Sequence, residues 1–251
     1  PSPPTPEVQD QIERTAAIEE QLAQHPVSQW GDRSHITKKI TKLEQLQRQY
    51  EFQRGVIGDR RQRHWADFMD LVEVLRDLNC LNDIIPTPLG QVVASLRGDN
   101  ELWLALALSS GELDTLYPHH LATVCAALVI ENNRPDTRVR VGLSPIVEET
   151  LDALRPLRRQ LVDYQRRHRV DIPIWLEYDL AAIIELWASE VEWDDLCTQS
   201  NLDEGDIVRM TRRTLDLLHQ LPHIHHLPAT LRQSAQEAIR KLDRFPISEV
   251  L

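Results

Sequence analysis

The clearest periodic pattern in the chain lies near its C-terminal end, in the segment LDEGDIVRMTRRTLDLLHQL. At about 100° per residue, one side of a helix over this segment is apolar or small: Ile207, Thr211, Thr214, Leu218 and Leu221. The opposite side is polar and mostly charged: Arg209, Arg213, Asp216 and Gln220. Asp203 is suited to cap such a helix, because its carboxylate can accept the first free backbone N–H groups. We therefore predict a helix over residues 203–221 with one packed side and one side open to a ligand.

Similar patterns with Pro, Ser, Thr or Asp at the start predict further helices along most of the chain. The predicted segments are 8–24, 34–79, 87–97, 99–108, 118–131, 144 onward with a bend or break at Pro156, 174–189, 192–198 and 228–242. Few segments alternate apolar and polar residues as strands do. The predicted fold class is all-α, a helical bundle with an N-terminal antiparallel helical hairpin.

Three regions differ in composition and pattern. The Pro-rich residues 1–7 predict a linker, and their start without Met is typical of a cut from a longer polypeptide. Residues 8–63 predict a solvated hairpin or stalk, held by a thin apolar seam that includes Ile40, Leu43 and Tyr50. Residues 64–251 predict a helical domain that contains the helix 203–221, with a thicker apolar face starting at Trp65.

Charge and cysteine content narrow the function classes. A net charge of −11 argues against nucleic acid wrapping over the whole surface, so any such contact must be local. Of the cations, 24 are Arg and four are Lys, which favours forked or stacked contacts. Three separated cysteines indicate reduced thiols and a cytoplasmic location. The apolar runs are too short to cross a bilayer, so no membrane role is expected.

Three pieces resemble, in order and spacing, the C-terminal helical (DSHCT) domain of superkiller-type DExH-box RNA helicases. They are residues 87–131, residues 183–221 with EGDIVR at a helix start, and residues 231–249 with RFPISE. The preceding hairpin, with HPV at its turn, is similar to part of the stalk of the same helicases. The resemblance implies a bundle that packs on two RecA-like domains of the same polypeptide and presents a ratchet helix to single-stranded RNA.

The helix 203–221 is the one that matches the ratchet helix. The resemblance implies that Arg213 touches a base or the backbone of RNA and that Asp216 contacts bases beside it. Guanidinium planes and a carboxylate on a rigid helix also suit unstacked bases, which offer ring faces and hydrogen-bonding edges. The candidate RNA-binding residues are Arg209, Arg212, Arg213, Asp216 and Gln220. A solvated face with internal ion pairs is the alternative.

Other clusters carry weaker signals. Arg158, Arg159, Arg166 and Arg167 are candidate phosphate contacts, although nearby acids favour a solvated helix equally. His219, His223, His225 and His226 lack ligand spacing for a metal and are expected to form a polar loop. The tryptophans at 103, 175, 187 and 193 are expected in the core.

A helicase phosphate-loop motif does not occur in the chain. Catalytic residues and cofactors are therefore expected outside it, with ATP and Mg²⁺ bound in the missing motor domains. The predicted function is that of an accessory domain that guides single-stranded RNA and braces the motor, with protein partners reached through the stalk. A stand-alone helical scaffold without a nucleic-acid role is the alternative.

Overall fold

The computed structural model describes residues 5–29, 33–131 and 136–248. The chain divides into two compact units, Pro1–Trp65 and Ala66–Leu251. Residues 1–4 of the predicted linker and 132–135 of the loop after residue 131 lie outside the described residues, as do residues 249–251.

The first unit consists of helix α1, Pro6–Gln24, a 3-10 turn, Pro26–Gln29, and the first part of helix α2, Arg33–Asp77. The predicted break at His25 and Pro26 is confirmed. No residue of α1 is buried. In the predicted seam of α2, Ile40, Leu43 and Tyr50 are 54%, 65% and 65% exposed. A hairpin held by this seam therefore stays a prediction.

The second unit begins in the last turns of α2, and its regular secondary structure is mainly helical, which confirms the all-α fold class. Its further helices are α3 Pro88–Ser95, α4 Glu101–Leu108, α5 Pro118–Val129, α6 Pro145–Arg167, α7 Asp179–Ala188, α8 Trp193–Cys197, α9 Glu204–Leu218 and α10 Ala229–Leu242. A 3-10 turn, Leu221–His223, follows α9. Two short antiparallel strands, β1 Leu81–Asn82 and β2 Ile85–Pro86, lie between α2 and α3.

Helix α5 is the centre of the second unit and packs against α6, α7, α9 and α10. Each of its residues from Leu121 to Val129 is buried, which is the expected state of a helix that is apolar on all sides. Among the described side chains of α2, Val74 is the first that is buried, and Leu78 follows just after the helix, whereas Trp65 and Phe68 are 65% and 53% exposed. The thicker apolar face predicted from Trp65 onward is therefore only partly buried, with its half-buried side chains at Met69, Leu71, Val72 and Leu75.

Three helices of this unit start with a residue whose side chain accepts a free backbone N–H of the first turn. Thr87 Oγ1 accepts the backbone N–H of Gly90 at 3.2 Å at the start of α3. Asp203 Oδ1 accepts the N–H of Asp206 at 2.9 Å, which confirms its predicted capping of α9. At α4 the cap is Asn100, not the predicted Asp99, and the carboxylate of Asp99 is left for tertiary contacts.

Three predicted helices differ in length or continuity. The predicted helix 174–189 starts only at Asp179, because the carbonyls of residues 172–175 accept hydrogen bonds from side chains elsewhere in the fold and the backbone there is extended. The predicted helix 203–221 ends at Leu218, four residues before Pro222. Pro156 does not divide α6, which is continuous from Pro145 to Arg167.

The three cysteines are free, and burial raises the pKa of the Cys80 thiol to about 11 and of the Cys125 thiol to about 12. Both thiols are therefore held in the protonated, unreactive form. Within the described ranges, no helix combines the length and apolar character that crossing a bilayer requires.

A histidine at the core boundary makes stability depend on pH. His120 Nε2 lies 3.8 Å from Glu185 Oε1, and the two side chains are 13% and 11% exposed. Burial lowers the pKa of His120, the charge of His119 lowers it further, and Glu185 opposes the shift. Because the pKa of His120 is lower in the folded chain, the unfolded chain binds this proton more tightly. The contribution of neutral His120 to the free energy of unfolding is therefore complete above about pH 6.5 and is lost as the pH falls below it.

We expect His120→Gln to reduce the loss of unfolding free energy that accompanies a change from about pH 7 to about pH 5.5, because the folded chain, in which the pKa of His120 is lowered, resists the protonation that the unfolded chain undergoes near pH 6.5. Urea unfolding at both pH values measures this difference. His225→Gln, at an exposed loop position, is the control and should keep the wild-type loss. Identical pH dependence in the His120→Gln variant and the wild type would contradict the assignment.

Candidate functional site

Helix α9 separates its buried and open sides as its sequence predicts. Ile207, Thr211, Thr214 and Leu218 are each 0% exposed, and so is Leu221 after the helix. The two threonines satisfy their hydroxyls within the helix, since Thr211 Oγ1 donates to the Ile207 carbonyl and Thr214 Oγ1 to the Met210 carbonyl, both at 2.9 Å. The polar stripe consequently faces away from the core.

Part of that stripe lines a cleft with a volume of about 440 Å³, which we call the α9 cleft. Its wall on the α9 side is formed by Arg213, Asp216, Leu217 and Gln220. The opposing wall comes from the α3–α4 loop, from α4 and α5, and from an extended segment before α7: Arg97, Gly98, Asp99, Asn100, Trp103, Leu104, Leu128, Val129, Pro173 and Trp175.

Asp99 is the polar centre of the cleft. The guanidinium of Arg213 donates to Asp99 Oδ2, and Trp175 Nε1 donates to the same oxygen at 3.3 Å. The side chains of Arg213 and Asp99 are 38% and 45% exposed, so both remain within reach of a ligand. The cleft therefore places a guanidinium, a carboxylate and a partly exposed indole side by side.

Both the oxygen and the nitrogen of the Gln220 side-chain amide make hydrogen bonds that support the cleft. Its Oε1 accepts the backbone N–H of Arg97 at 2.7 Å, and its Nε2 donates to the Arg97 carbonyl at 3.1 Å. Nε2 also donates to the Asp216 carbonyl at 2.9 Å. This amide fixes the α3–α4 loop, and with it Asp99, against the end of α9.

The extended segment 172–175, which we call the partition segment, is fixed from two sides. Its backbone carbonyls accept side-chain hydrogen bonds alternately from α6 and from the α4 side, as expected when successive carbonyls of an extended chain point in opposite directions. The four bonds, in chain order, run from Gln165 Nε2 to Ile172 at 3.0 Å, from Asn100 Nδ2 to Pro173 at 3.1 Å, from Arg158 Nε to Ile174 at 3.0 Å, and from Trp103 Nε1 to Trp175 at 2.8 Å. These bonds hold the Trp175 indole at the cleft.

The other predicted residues of α9 lie outside the cleft. Arg209 is exposed, and its Nη1 pairs with Asp206 Oδ1 at 3.0 Å. Arg212 donates from Nε and Nη2 to the Ile247 carbonyl at 3.4 and 3.2 Å, and so contacts the C-terminal segment. Of the five predicted RNA-binding residues, the structure brings Arg213, Asp216 and Gln220 together.

The predicted arginine cluster of α6 is also divided. Arg158 and Arg166 line a separate cleft with Arg169. Arg167 instead pairs with Asp77 at 3.7 Å and lies over the Tyr164 ring, and Arg159 Nε donates to the Arg155 carbonyl at 3.5 Å.

Two residues of the α9 cleft were missed by sequence reasoning. Trp175 was expected in the core but is only partly buried, and Asp99 was expected as a helix cap. No local signal identified Trp175, because a proline at this position is compatible with the start of a helix, as in α3 and α5. Among the predicted histidines, His226 Nε2 lies 2.6 Å from Gln91 Oε1. Within the described part of the chain, no three His, Cys, Asp or Glu residues are grouped to hold a metal ion.

Comparison with known proteins now identifies the family. The sequence profile of the DSHCT (NUC185) domain matches residues 83–250, which is most of the chain. The chain belongs to the DSHCT domain family. The resemblance seen in the sequence is thereby confirmed, and α9 with its cleft lies inside the matched DSHCT region.

Relatives of this DSHCT domain are helicases. The chain is 38% identical over 192 residues to the chloroplastic DExH-box ATP-dependent RNA helicase DExH15 of Arabidopsis thaliana, covering 74% of the chain and 16% of the relative. It is 26% identical over 166 residues to the probable helicase HelY of Mycobacterium leprae, covering 62% and 18%. It is 21% identical over 188 residues to human Superkiller complex protein 2, covering 73% and 15%. The chain thus spans less than a fifth of the length of each of these three relatives.

Proposed function

We propose that this DSHCT domain is the accessory domain of an ATP-dependent RNA helicase and that the α9 cleft holds bases of single-stranded RNA. The observation that carries the proposal is that Arg213, Asp216 and Trp175 line one open cleft. Unstacked bases bind to planar groups through their faces and to polar groups through their edges. The guanidinium and the indole offer planes, and the carboxylate accepts base N–H groups.

In this proposal the domain acts as a directional guide. The RecA-like domains of the same polypeptide would bind ATP and Mg²⁺, hydrolyse the nucleotide and advance the strand, while packing against this bundle. Bases held in turn by Arg213 and Asp216 would be hindered from slipping back. Gln220 has a positioning role, since it fixes the loop that carries Asp99. The relatives named as RNA helicases and the position of α9 within the matched region support this assignment.

The first unit supports a second role, in protein binding. Ile12 and Leu22 of α1 and Leu43 of α2 are about half exposed or more. Apolar side chains exposed at helical spacing are typical of a surface that another helix covers. We propose that this stalk binds a protein partner in the cytoplasm, where free thiols such as those of this chain stay reduced.

Replacing Arg213 tests the base-binding role. We expect Arg213→Ala to weaken binding of single-stranded poly(U) about tenfold, a loss within the range for one base-stacking contact. Its free energy of unfolding should change by less than about 1 kcal/mol, because the pair with Asp99 is solvated. Binding is measured at low salt by NMR, with the tryptophan indole signals as reporters.

Two further variants make this experiment decisive. Asp99→Asn should strengthen poly(U) binding, because it releases Arg213 and removes a negative charge from the cleft. Arg240→Ala, on the exposed face of α10, is the matched control and should bind as the wild type does. The base-binding role would be wrong if Arg213→Ala and Arg240→Ala bound poly(U) equally well.

A further inference from the structure

A second cleft adjoins the α9 cleft at the partition segment. It has a volume of about 460 Å³, and Pro173 lines both clefts. We call it the α6 cleft. Its lining residues come from the second half of α6 and from the chain that follows it: Arg158, Val162, Gln165, Arg166, Arg169, Val170, Asp171, Ile172, Pro173 and Ile174.

Positive charge is concentrated in the α6 cleft. Arg158, Arg166 and Arg169 share its lining with one acidic residue, Asp171. Arg158 and Arg166 are two helical turns apart on one side of α6, and Arg169 follows directly after the helix. In a chain with a net charge of −11, three guanidinium groups against one carboxylate make a local site for anions.

The guanidinium groups of the α6 cleft keep donors for a ligand. Arg158 uses its Nε hydrogen on the Ile174 carbonyl, which is one of five guanidinium donors. Across the described residues, no carboxylate pairs with Arg166 or Arg169, whereas Arg155 and Arg167 on the same helix are paired with Asp152 and Asp77.

Arg169 lies at a left-handed backbone position at the end of α6. Arg169 has a φ of 58°, and the Val170 N–H closes the end of α6 by donating to the Gln165 carbonyl at 2.8 Å. Helices that end in this way usually carry glycine at the left-handed position. The chain has arginine there, and its side chain lines the cleft.

We propose that the α6 cleft binds backbone phosphates of the RNA strand whose bases enter the α9 cleft. This inference rests on the proposed function. Arginine forks match phosphate oxygens, and phosphate contacts position a strand while other groups hold its bases. The shared wall at Pro173 favours RNA over an acidic peptide, because one strand can place bases on one side of the wall and phosphates on the other. Compared with the four arginines that the sequence offered as candidate phosphate contacts, the proposed site adds Arg169 and leaves out Arg159 and Arg167.

The experiment compares two triple variants of the whole 251-residue chain that change net charge equally. One carries Arg158→Gln, Arg166→Gln and Arg169→Gln. The control carries Arg14→Gln, Arg48→Gln and Arg240→Gln, at exposed positions that line neither cleft. Binding of poly(U) is measured against salt concentration, and the NMR shift of the Trp175 indole is followed with poly(U) and with the dinucleotide UpU.

We expect the α6-cleft variant to show a slope of log affinity against log salt that is shallower by about 2, because each single-strand phosphate contact contributes about 0.7. Its affinity for poly(U) at low salt should fall at least about tenfold relative to the control triple, which loses the same charge. The Trp175 shift caused by UpU should be retained in the double variant Arg166→Gln/Arg169→Gln, which keeps the Arg158 bond to the Ile174 carbonyl, since a single phosphate does not need the α6 cleft. Urea unfolding verifies that both triple variants are folded.

The outcomes separate this inference from the proposed function. Equal slopes and affinities for the two triple variants overturn the phosphate cleft, and the proposed function stands if Arg213→Ala still weakens binding. If the α6-cleft variant loses affinity for poly(U) and Arg213→Ala does not, the result supports an RNA phosphate site and overturns the base-binding role. Binding of polyglutamate as tight as that of poly(U), and equally dependent on the three arginines, assigns the cleft to acidic peptides and overturns the inference.

Discussion

Replacing Trp187 with alanine is expected to lower the free energy of unfolding of the second unit by about 3–5 kcal/mol, the range for truncating a buried aromatic residue. The ring is 1% exposed, and its Nε1 donates to the Leu242 carbonyl at 2.9 Å. The Arg244 guanidinium lies 3.4 Å from its centroid, and Trp193 meets its face edge-on at 5.4 Å. Truncation leaves a cavity and removes the contact that fixes the chain after α10.

Urea unfolding of two further variants separates the contributions at this site. Trp187→Phe keeps a ring but loses the N–H, while the Leu242 carbonyl still accepts the Arg244 N–H at 3.0 Å, so we expect a smaller loss of about 0.5–1.5 kcal/mol, the net value of one hydrogen bond. Trp193→Ala removes a partly exposed ring and should also cost less than Trp187→Ala. A loss for Trp193→Ala equal to or above that for Trp187→Ala would show that Trp187 is not the main anchor.

Gly90→Ala is expected to destabilise the second unit by about 3 kcal/mol, the upper part of the range for overpacking. A Cβ at this position would lie 2.0 Å from the Cys80 carbonyl oxygen and 3.1 Å from its carbon. Both atoms belong to the backbone, so no side chain can move to make room. The Cys80 carbonyl also accepts the Thr87 N–H at 3.0 Å, and its displacement would disturb the start of α3.

The same substitution at Gly55 is the matched control. Nothing lies within 4 Å of a Cβ built there, and Gly55 is inside α2. Alanine is a better helix former, so Gly55→Ala should stabilise its helix by about 0.5–1 kcal/mol. Thermal unfolding followed by circular dichroism measures both variants. Similar melting temperatures for the two would contradict the close approach of α3 to Cys80.

Local signals were sufficient to predict α9. Its side-chain periodicity depends on positions three and four residues apart, and its cap lies next to its first turn, so both can be recognised without the rest of the fold. The same holds for α3 and α5, which begin at a proline as predicted. These elements place Arg213 and Asp216 on the open side of the bundle.

The rest of the cleft depends on contacts between distant parts of the chain. Asn100 and Pro173, which join α4 to the partition segment, are 73 residues apart, and Arg213 and Asp99 are 114 apart. No periodicity within one segment specifies such pairs. The apolar residues around Trp175 favoured a helix. Only the tertiary hydrogen bonds to the carbonyls of this segment explain why the backbone there is extended.

The partition segment is a single extended stretch of chain, and it adjoins both the α9 cleft and the α6 cleft, each of which is lined by arginine. Pro173 lines both clefts, so one stretch of backbone links their widths. The stiffness of that link is set by the four side-chain donors Asn100, Trp103, Arg158 and Gln165. Replacing any one of these four side chains with a shorter one is therefore expected to loosen both clefts.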